Sequence, residues 1–244
     1  MKPSKLLSLF TGVFTALLVL TASIAAPLLC RPFYYAHIEA LDLDGYTGLS
    51  VEQIKEAFDQ VMDYCLGLRP DFAAGILPFS QSGASHFADV RVLFLLDLWV
   101  AALSLIALLV LFVVSRKRKL TPAPLLGHGP GFWAAIGLGG LFLIVGALAA
   151  TNFERAFVVF HSLFFPGKTN WLFDWRTDPI ILLLPEDFFR NCAILILALL
   201  IFWCVVLIAA DLLVQHRRKQ TPPSSSPCSG CPGGSDCSGC SGCS

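Results

Sequence analysis

The chain has 244 residues, is 56% hydrophobic and only 14% charged, and has a mean hydropathy of +0.72, a composition too apolar for a soluble domain. Its 17 basic and 17 acidic residues cancel, and they form no basic, aromatic-studded surface of the kind that binds nucleic acid. Four apolar runs, Leu6 to Leu29, Val92 to Val114, Phe132 to Ala150 and Cys192 to Val214, have the length of roughly 20 residues needed to cross about 30 Å of hydrocarbon. The expected fold is therefore an all-α integral membrane protein with four transmembrane helices.

Three basic clusters orient it. Lys2 and Lys5 precede the first run, Arg116 to Lys119 follow the second, and Arg217 to Lys219 follow the fourth. Placing all three on the cytoplasmic side gives an N-in/C-in topology, with outer segments at 31–91 and 151–190. The four-span domain is expected over 1–218, with a disordered, Cys-rich cytoplasmic tail over 219–244. The first run has a rival reading as a cleaved signal peptide, given MKPSK and the small residues Ser23, Ala25 and Ala26. It runs on through Pro27 to Leu29, longer than the usual signal core of about 7–15 residues, so an uncleaved anchor is expected.

After the first span, Arg31-Pro32-Phe33-Tyr34-Tyr35 resembles an interfacial aromatic belt, followed by His37 and Glu39. Ser50-Val51-Glu52-Gln53 is a capping box. Val51, Ile54, Phe58, Val61, Met62 and Cys65 then recur at helical spacing, up to a stop at Gly67. This helix is acidic on its polar side and is expected to pack over the outer face. Ser85 to Arg91 leads into the second span, where His86 and Asp89 share a face, so that Asp89 could orient His86. Asp97 lies inside the span on nearly the same face, and an ionisable group there usually meets a polar cavity. Gly137, Gly139, Gly140 and Gly146 in the third span suit close helix packing. That run is expected to continue helically through Asn152 to His161.

The outer stretch from Phe160 to Phe189, FHSLFFPGKTNWLFDWRTDPIILLLPEDFF, is too polar to span and too aromatic for a solvent loop. It carries His161, Trp171, Asp174, Trp175, Arg176, Asp178 and Glu186. Its short run Ile180 to Leu184 is expected to be re-entrant or interfacial, and Asp178 to Phe189 is a candidate floor or gate for acyl chains.

Several separated pieces resemble the bacterial lipoprotein intramolecular transacylases, the Lit family. They are Tyr34-Tyr35-Ala36-His37-Ile38-Glu39, Pro78-Phe79-Ser80, His86-Phe87-Ala88-Asp89-Val90-Arg91, Phe160-His161-Ser162-Leu163-Phe164-Phe165, Asn170-Trp171-Leu172-Phe173, Asp178-Pro179-Ile180-Ile181, Leu184-Pro185 and Phe188-Phe189. Gly83-Ala84 stands where a more charged pair is usual, and Trp175 where proline is commoner. The resemblance implies an acyltransferase in the bacterial cytoplasmic membrane with an outward-facing site. It would move the sn-2 acyl chain of a diacylglyceryl lipoprotein to the α-amine of its N-terminal cysteine, and the product is a lyso-form lipoprotein. The family's two functional histidines match His86 and His161.

The chemistry needs no cofactor. An α-amine with a pKa of about 7.7–8 is partly neutral near pH 7, so positioning, proton transfer and oxyanion stabilisation suffice. His161 is expected as general base and His86 as proton donor or oxyanion partner, with the reverse assignment open. Asp89, Arg91, Asp97, Tyr35, His37, Trp171, Arg176 and Asp178 are supporting candidates, Arg91 and Arg176 for an oxyanion or a lipid headgroup. Ser162 or Cys65 could serve as a covalent nucleophile, but no Gly-x-Ser-x-Gly elbow is present. Expected partners are diacylglyceryl-modified lipoproteins and membrane lipid, with a soft metal ion possible at tail residues Cys228, Cys231, Cys237, Cys240 and Cys243. The competing readings are a non-enzymatic transporter or assembly factor, and a metal-responsive membrane protein acting through the tail.

Overall fold

A computed structural model describes residues 1–220. The tail cysteines from Cys228 onward lie outside the described residues. The elements in order are β1 (Lys2–Ser4), α1 (Lys5–Leu29), α2 (Arg31–Ala40), α3 (Leu43–Thr47), α4 (Val51–Cys65), α5 (Gln81–Lys117), β2 (Leu120–Pro122), α6 (Pro130–Thr151), α7 (Phe153–Phe164), α8 (Ile180–Leu183) and α9 (Glu186–Gln220).

Helices α1, α5, α6 and α9 are long and apolar enough to cross a membrane. Their outer faces carry bare apolar side chains, such as Trp99 at 65% and Leu109 at 58% exposure. Water would penalise such surface, whereas lipid solvates it at no cost. Within the bundle α1 packs on α5, α6 and α9, and α6 on α9. Small residues set that last approach. A Cβ at Gly139 would touch Cys204 Sγ at 3.4 Å, and one at Gly146 would run into the Leu197 side chain.

The two strands pair in parallel, Lys2 with Leu120 and Ser4 with Pro122, which ties the chain start to the segment just after α5. Beside them the α5–α6 loop is held to α9: Gly129 N donates to Asp211 Oδ1 at 2.8 Å, and His128 Nδ1 lies 2.8 Å from Asp211 Oδ2. All three basic clusters therefore gather at one end of the bundle.

The opposite end is a small core built by the segments 31–91 and 151–190. Helix α4 begins with the Ser50/Gln53 capping box and ends at Gly67, whose φ of +77° is a left-handed conformation that glycine adopts without strain. It buries Ile54, Phe58, Val61, Met62 and Cys65 against Tyr34, Ile38 and Leu43. Its acidic face is fixed by Arg31, which binds Asp59 at 2.7 Å and Asp63 at 2.6 Å. The short run at 180–184 joins this core as α8. Ile180 and Leu183 are fully enclosed, and Leu183 O accepts from Tyr34 Oη at 2.9 Å. Phe188 packs there against Tyr34 and Phe58, so Asp178 to Phe189 forms a wall over α2 and α4.

The third span differs from expectation at its C-terminal end. Asn152 leaves the helical region at φ −161°, and its side chain accepts from Arg155 N at 2.8 Å. It caps a new helix with Glu154 in the first turn, where the helix dipole favours a carboxylate.

Candidate active site

His86 and His161 reach each other from different helices. Ser80 caps α5, its hydroxyl accepting from Gly83 N at 2.9 Å, and His86 follows on the second turn. His161 sits near the end of α7. Both are buried, at 6% and 7% exposure, and their ring centroids are 5.9 Å apart.

The tautomer of His161 is set by its surroundings. Nδ1 lies 2.8 Å from the Phe157 carbonyl. A carbonyl only accepts, so Nδ1 carries the proton and Nε2 keeps its lone pair in the neutral ring. Burial holds the His161 pKa below the ordinary histidine value, against the Phe157 hydrogen bond, which pulls it up. His86 is different: its Nδ1 is buried with no hydrogen-bond partner. Aromatic rings wall the pair. Trp171 stacks on His161 at 4.6 Å, Phe157 lies 4.1 Å from it, and Phe165 touches both rings, 5.0 Å from His86 and 5.7 Å from His161. Phe173 stands 5.4 Å from His86.

The loop after α7 turns at Gly167, with φ at +73°, and is pinned to α5 at three points. Lys168 Nζ pairs with Asp89 Oδ1 at 2.5 Å. Asn170 Nδ2 donates to Ser85 Oγ and Asp89 Oδ2, each at 3.0 Å. Asp178 Oδ1 accepts from Ser80 N at 2.7 Å, and its Oδ2 accepts from Thr177 Oγ1 at 2.8 Å. Asp178 thus fastens the loop to the start of α5. A side chain at Gly83 would collide with the Asp178 carboxylate and approach the Phe173 ring, so close approach of the loop explains the glycine there.

The remaining candidates divide. Trp171 is at the site. Asp89 lies beside it, yet its carboxylate is taken by Lys168 and Asn170 and makes no hydrogen bond to His86. Spacing on one helix put the two residues on a common face, but cross-chain donors claimed the acid. Arg91 is drawn away from the histidines: it donates to Arg69 O at 3.1 Å and lies over the Tyr64 ring. Arg176 is exposed, over Trp175 and 3.8 Å from Asp174. Tyr35 donates to Asp59, and His37 binds the Phe33 carbonyl beside Phe188, so both belong to the α2–α4 core. Asp97 is within the span, with Oδ2 lacking a partner. Neither alternative nucleophile is activated. Ser162 Oγ donates to the Val158 carbonyl of its own helix, and burial pushes the Cys65 thiol up to about 12. Asn170, Phe165 and Phe173 stand in the pieces that carry the family resemblance but were given no role, and Lys168 was not singled out from the sequence. A lone amide directly before the histidine-stacking tryptophan was the available signal. Among the described residues no group of three His, Cys, Asp or Glu side chains could hold a metal ion.

A cleft of about 230 Å³ opens beside the Asp89–Lys168 pair, walled by Val92, Leu93, Phe164, Phe165 and Pro166. One wall, Phe165, is the ring that touches both histidines.

Comparison with known proteins gives this arrangement a family. The structure is similar to that of the membrane-integral lipoprotein intramolecular transacylase Lit from Bacillus cereus, with a TM-score of 0.74 at 23% identity over 88% of this chain and 97% of that one. Two structures of the same enzyme carrying a histidine substitution, one to arginine and one to alanine, match with TM-scores of 0.71 and 0.72 at 23% and 22% identity. They cover 88% of this chain and 94% and 95% of theirs. No curated protein sequence matches significantly. The family model for the lipoprotein intramolecular transacylase Lit matches residues 9–189, which contain both histidines, the aromatic walls and all three loop anchors. With that match spanning most of its length, the chain belongs to the Lit family of lipoprotein intramolecular transacylases and is a membrane acyltransferase.

Proposed function

We propose that His86 and His161 carry the acyl transfer, and that the substrate is a diacylglyceryl-modified lipoprotein presented from the membrane. The sn-2 chain moves to the α-amine of the N-terminal cysteine. The new bond joins the amine nitrogen to the acyl carbon, and the broken bond is the one between that carbon and the sn-2 oxygen. The amine proton ends on the released sn-2 hydroxyl.

The observation that supports these roles is the asymmetry of the two rings. His161, with Nδ1–H committed to Phe157, offers Nε2 to take the amine proton. His86 faces it with an uncommitted Nδ1 and can donate to the developing oxyanion or to the departing oxygen. A buried donor aimed at developing charge contributes most where water is excluded. The Val92–Phe165 cleft is where an acyl chain would lie. We place the histidine end outside the bacterial cytoplasmic membrane, because the basic clusters gather at the other end. Purified protein in lipid nanodiscs, given a diacylglyceryl lipopeptide, is expected to convert it to the N-acyl, lyso-glyceryl form at unchanged mass, with fragmentation locating the chain on nitrogen. A lipopeptide that keeps both ester chains and a free amine would sink this reading.

A further inference from the structure

We propose that the side-chain carbonyl of Asn170 is the acceptor that holds the substrate's α-amine beside His161. This deepens the transacylase reading and rests on it.

The orientation of the Asn170 amide is forced. Its Nδ2 faces the Asp89 carboxylate and the Ser85 hydroxyl. An ionised carboxylate can only accept, so the amide cannot be turned over without setting oxygen against oxygen. Lys168 fixes that carboxylate from its other side. Three residues from two segments therefore serve to aim one carbonyl oxygen. That oxygen, Asn170 Oδ1, is shielded from solvent and has no partner. A buried acceptor left open forfeits roughly 1–3 kcal/mol, and buried polar groups are rarely left so without a reason.

Its location gives the reason. Asn170 is bonded to the residue before His86 and is followed in the chain by Trp171, which stacks on His161. An open acceptor calls for a donor. In the reacting part of the substrate the ester oxygens only accept and the thioether does not donate. The α-amine does donate. A neutral amine has two N–H groups and one lone pair. With one N–H on His161 Nε2 and the other on Asn170 Oδ1, the lone pair points at the ester carbon. On attack His161 removes the first proton. The second stays on Asn170 and becomes the single N–H of the product amide. The structure thus also gives Asp89 a task, as the positioning residue for Asn170.

The test uses two lipopeptides whose glyceryl chains are ether-linked and cannot be transferred, one with the free α-amine and one with hydrogen in its place. Wild-type protein in nanodiscs is expected to bind the amine form about tenfold more tightly, the effect of one hydrogen bond to a buried acceptor. Asn170→Leu is expected to erase that preference while its affinity for the des-amino form stays within about twofold of wild type. Asn170→Ala, which adds no bulk, is read the same way should the leucine variant fail to fold. Equal wild-type affinity for the two forms, or a parallel loss of both in the variants, overturns the proposal. Failure of the transacylase reading would show separately, as no turnover of the ester-linked lipopeptide by wild type.

Discussion

Each end of the bundle holds a histidine, a polar partner and aromatic rings between helices, yet the two ends are finished differently. At the basic end Asp211 accepts from Gly129 N and Gln215 Nε2, and His128 Nδ1 donates to it, all at 2.8 Å. The His128 ring stacks on Phe132 at 3.8 Å. No atom of that cluster is among the buried polar atoms left without a partner. At the opposite end His86 Nδ1 and Asn170 Oδ1 both are. A folded chain closes its own hydrogen bonds wherever nothing else has to enter. The cluster closed around Asp211 therefore reads as a latch between α9 and the α5–α6 loop, and the open one as a site waiting for substrate.

Substitutions should separate the two ends, first of all at the histidines. His161→Ala is expected to lower transfer in a nanodisc assay by about 10²–10⁴-fold, the range for loss of a general base. His128→Ala should leave the rate per folded molecule near wild type; a comparable fall there would dissolve the contrast. Next comes pH. The free substrate amine has a pKa of about 7.7–8, and His161 sits below the ordinary histidine value. A base must be neutral, and a depressed pKa keeps the ring neutral until the pH has dropped past it. From pH 7.5 down to about 6.5, kcat/KM should therefore fall with the amine alone, about tenfold per unit. A slope of two already established above pH 6.5 would mean that His161 is not held low. The smallest effect belongs to the latch. Asp211→Ala removes the acceptor of the Gly129 N–H, a cost of about 1–3 kcal/mol. It should appear as a lower Tm with the rate per folded molecule unchanged, and a rate loss without a Tm change would give that end a catalytic role.

Much of the frame was legible beforehand because it depends on local pattern. Apolar length marks the spans, and the Ser50–Gln53 box with helical spacing marks α4. What escaped depends on partners far along the chain. Asp89 looked like a partner for His86 because they are three residues apart, but its donors come from 168 and 170. Arg91 looked like a site cation and instead reaches back to Arg69. The β1–β2 pair joins residues more than a hundred apart, and its strands are too short to show a period. The break at Asn152 was the exception. Its local signal, a capping Asn with Glu154 two residues on, was outweighed by the continuous apolar run behind it.

The length of α5 sets a height. It has 37 residues, which at 1.5 Å per residue come to about 55 Å, far more than the roughly 30 Å of hydrocarbon in a bilayer. Measured from Arg116 at the basic end, Asp97 stands about 28 Å up and His86 about 45 Å up. With Arg116 at one edge of the hydrocarbon, Asp97 would stand near the other edge, and His86 about 17 Å further along the same axis. The rod therefore sets its imidazole well beyond its carboxyl. The apolar cleft at Val92 and Leu93 lies between those two levels, so it would lead an acyl chain from the height of the carboxyl towards that of the imidazole.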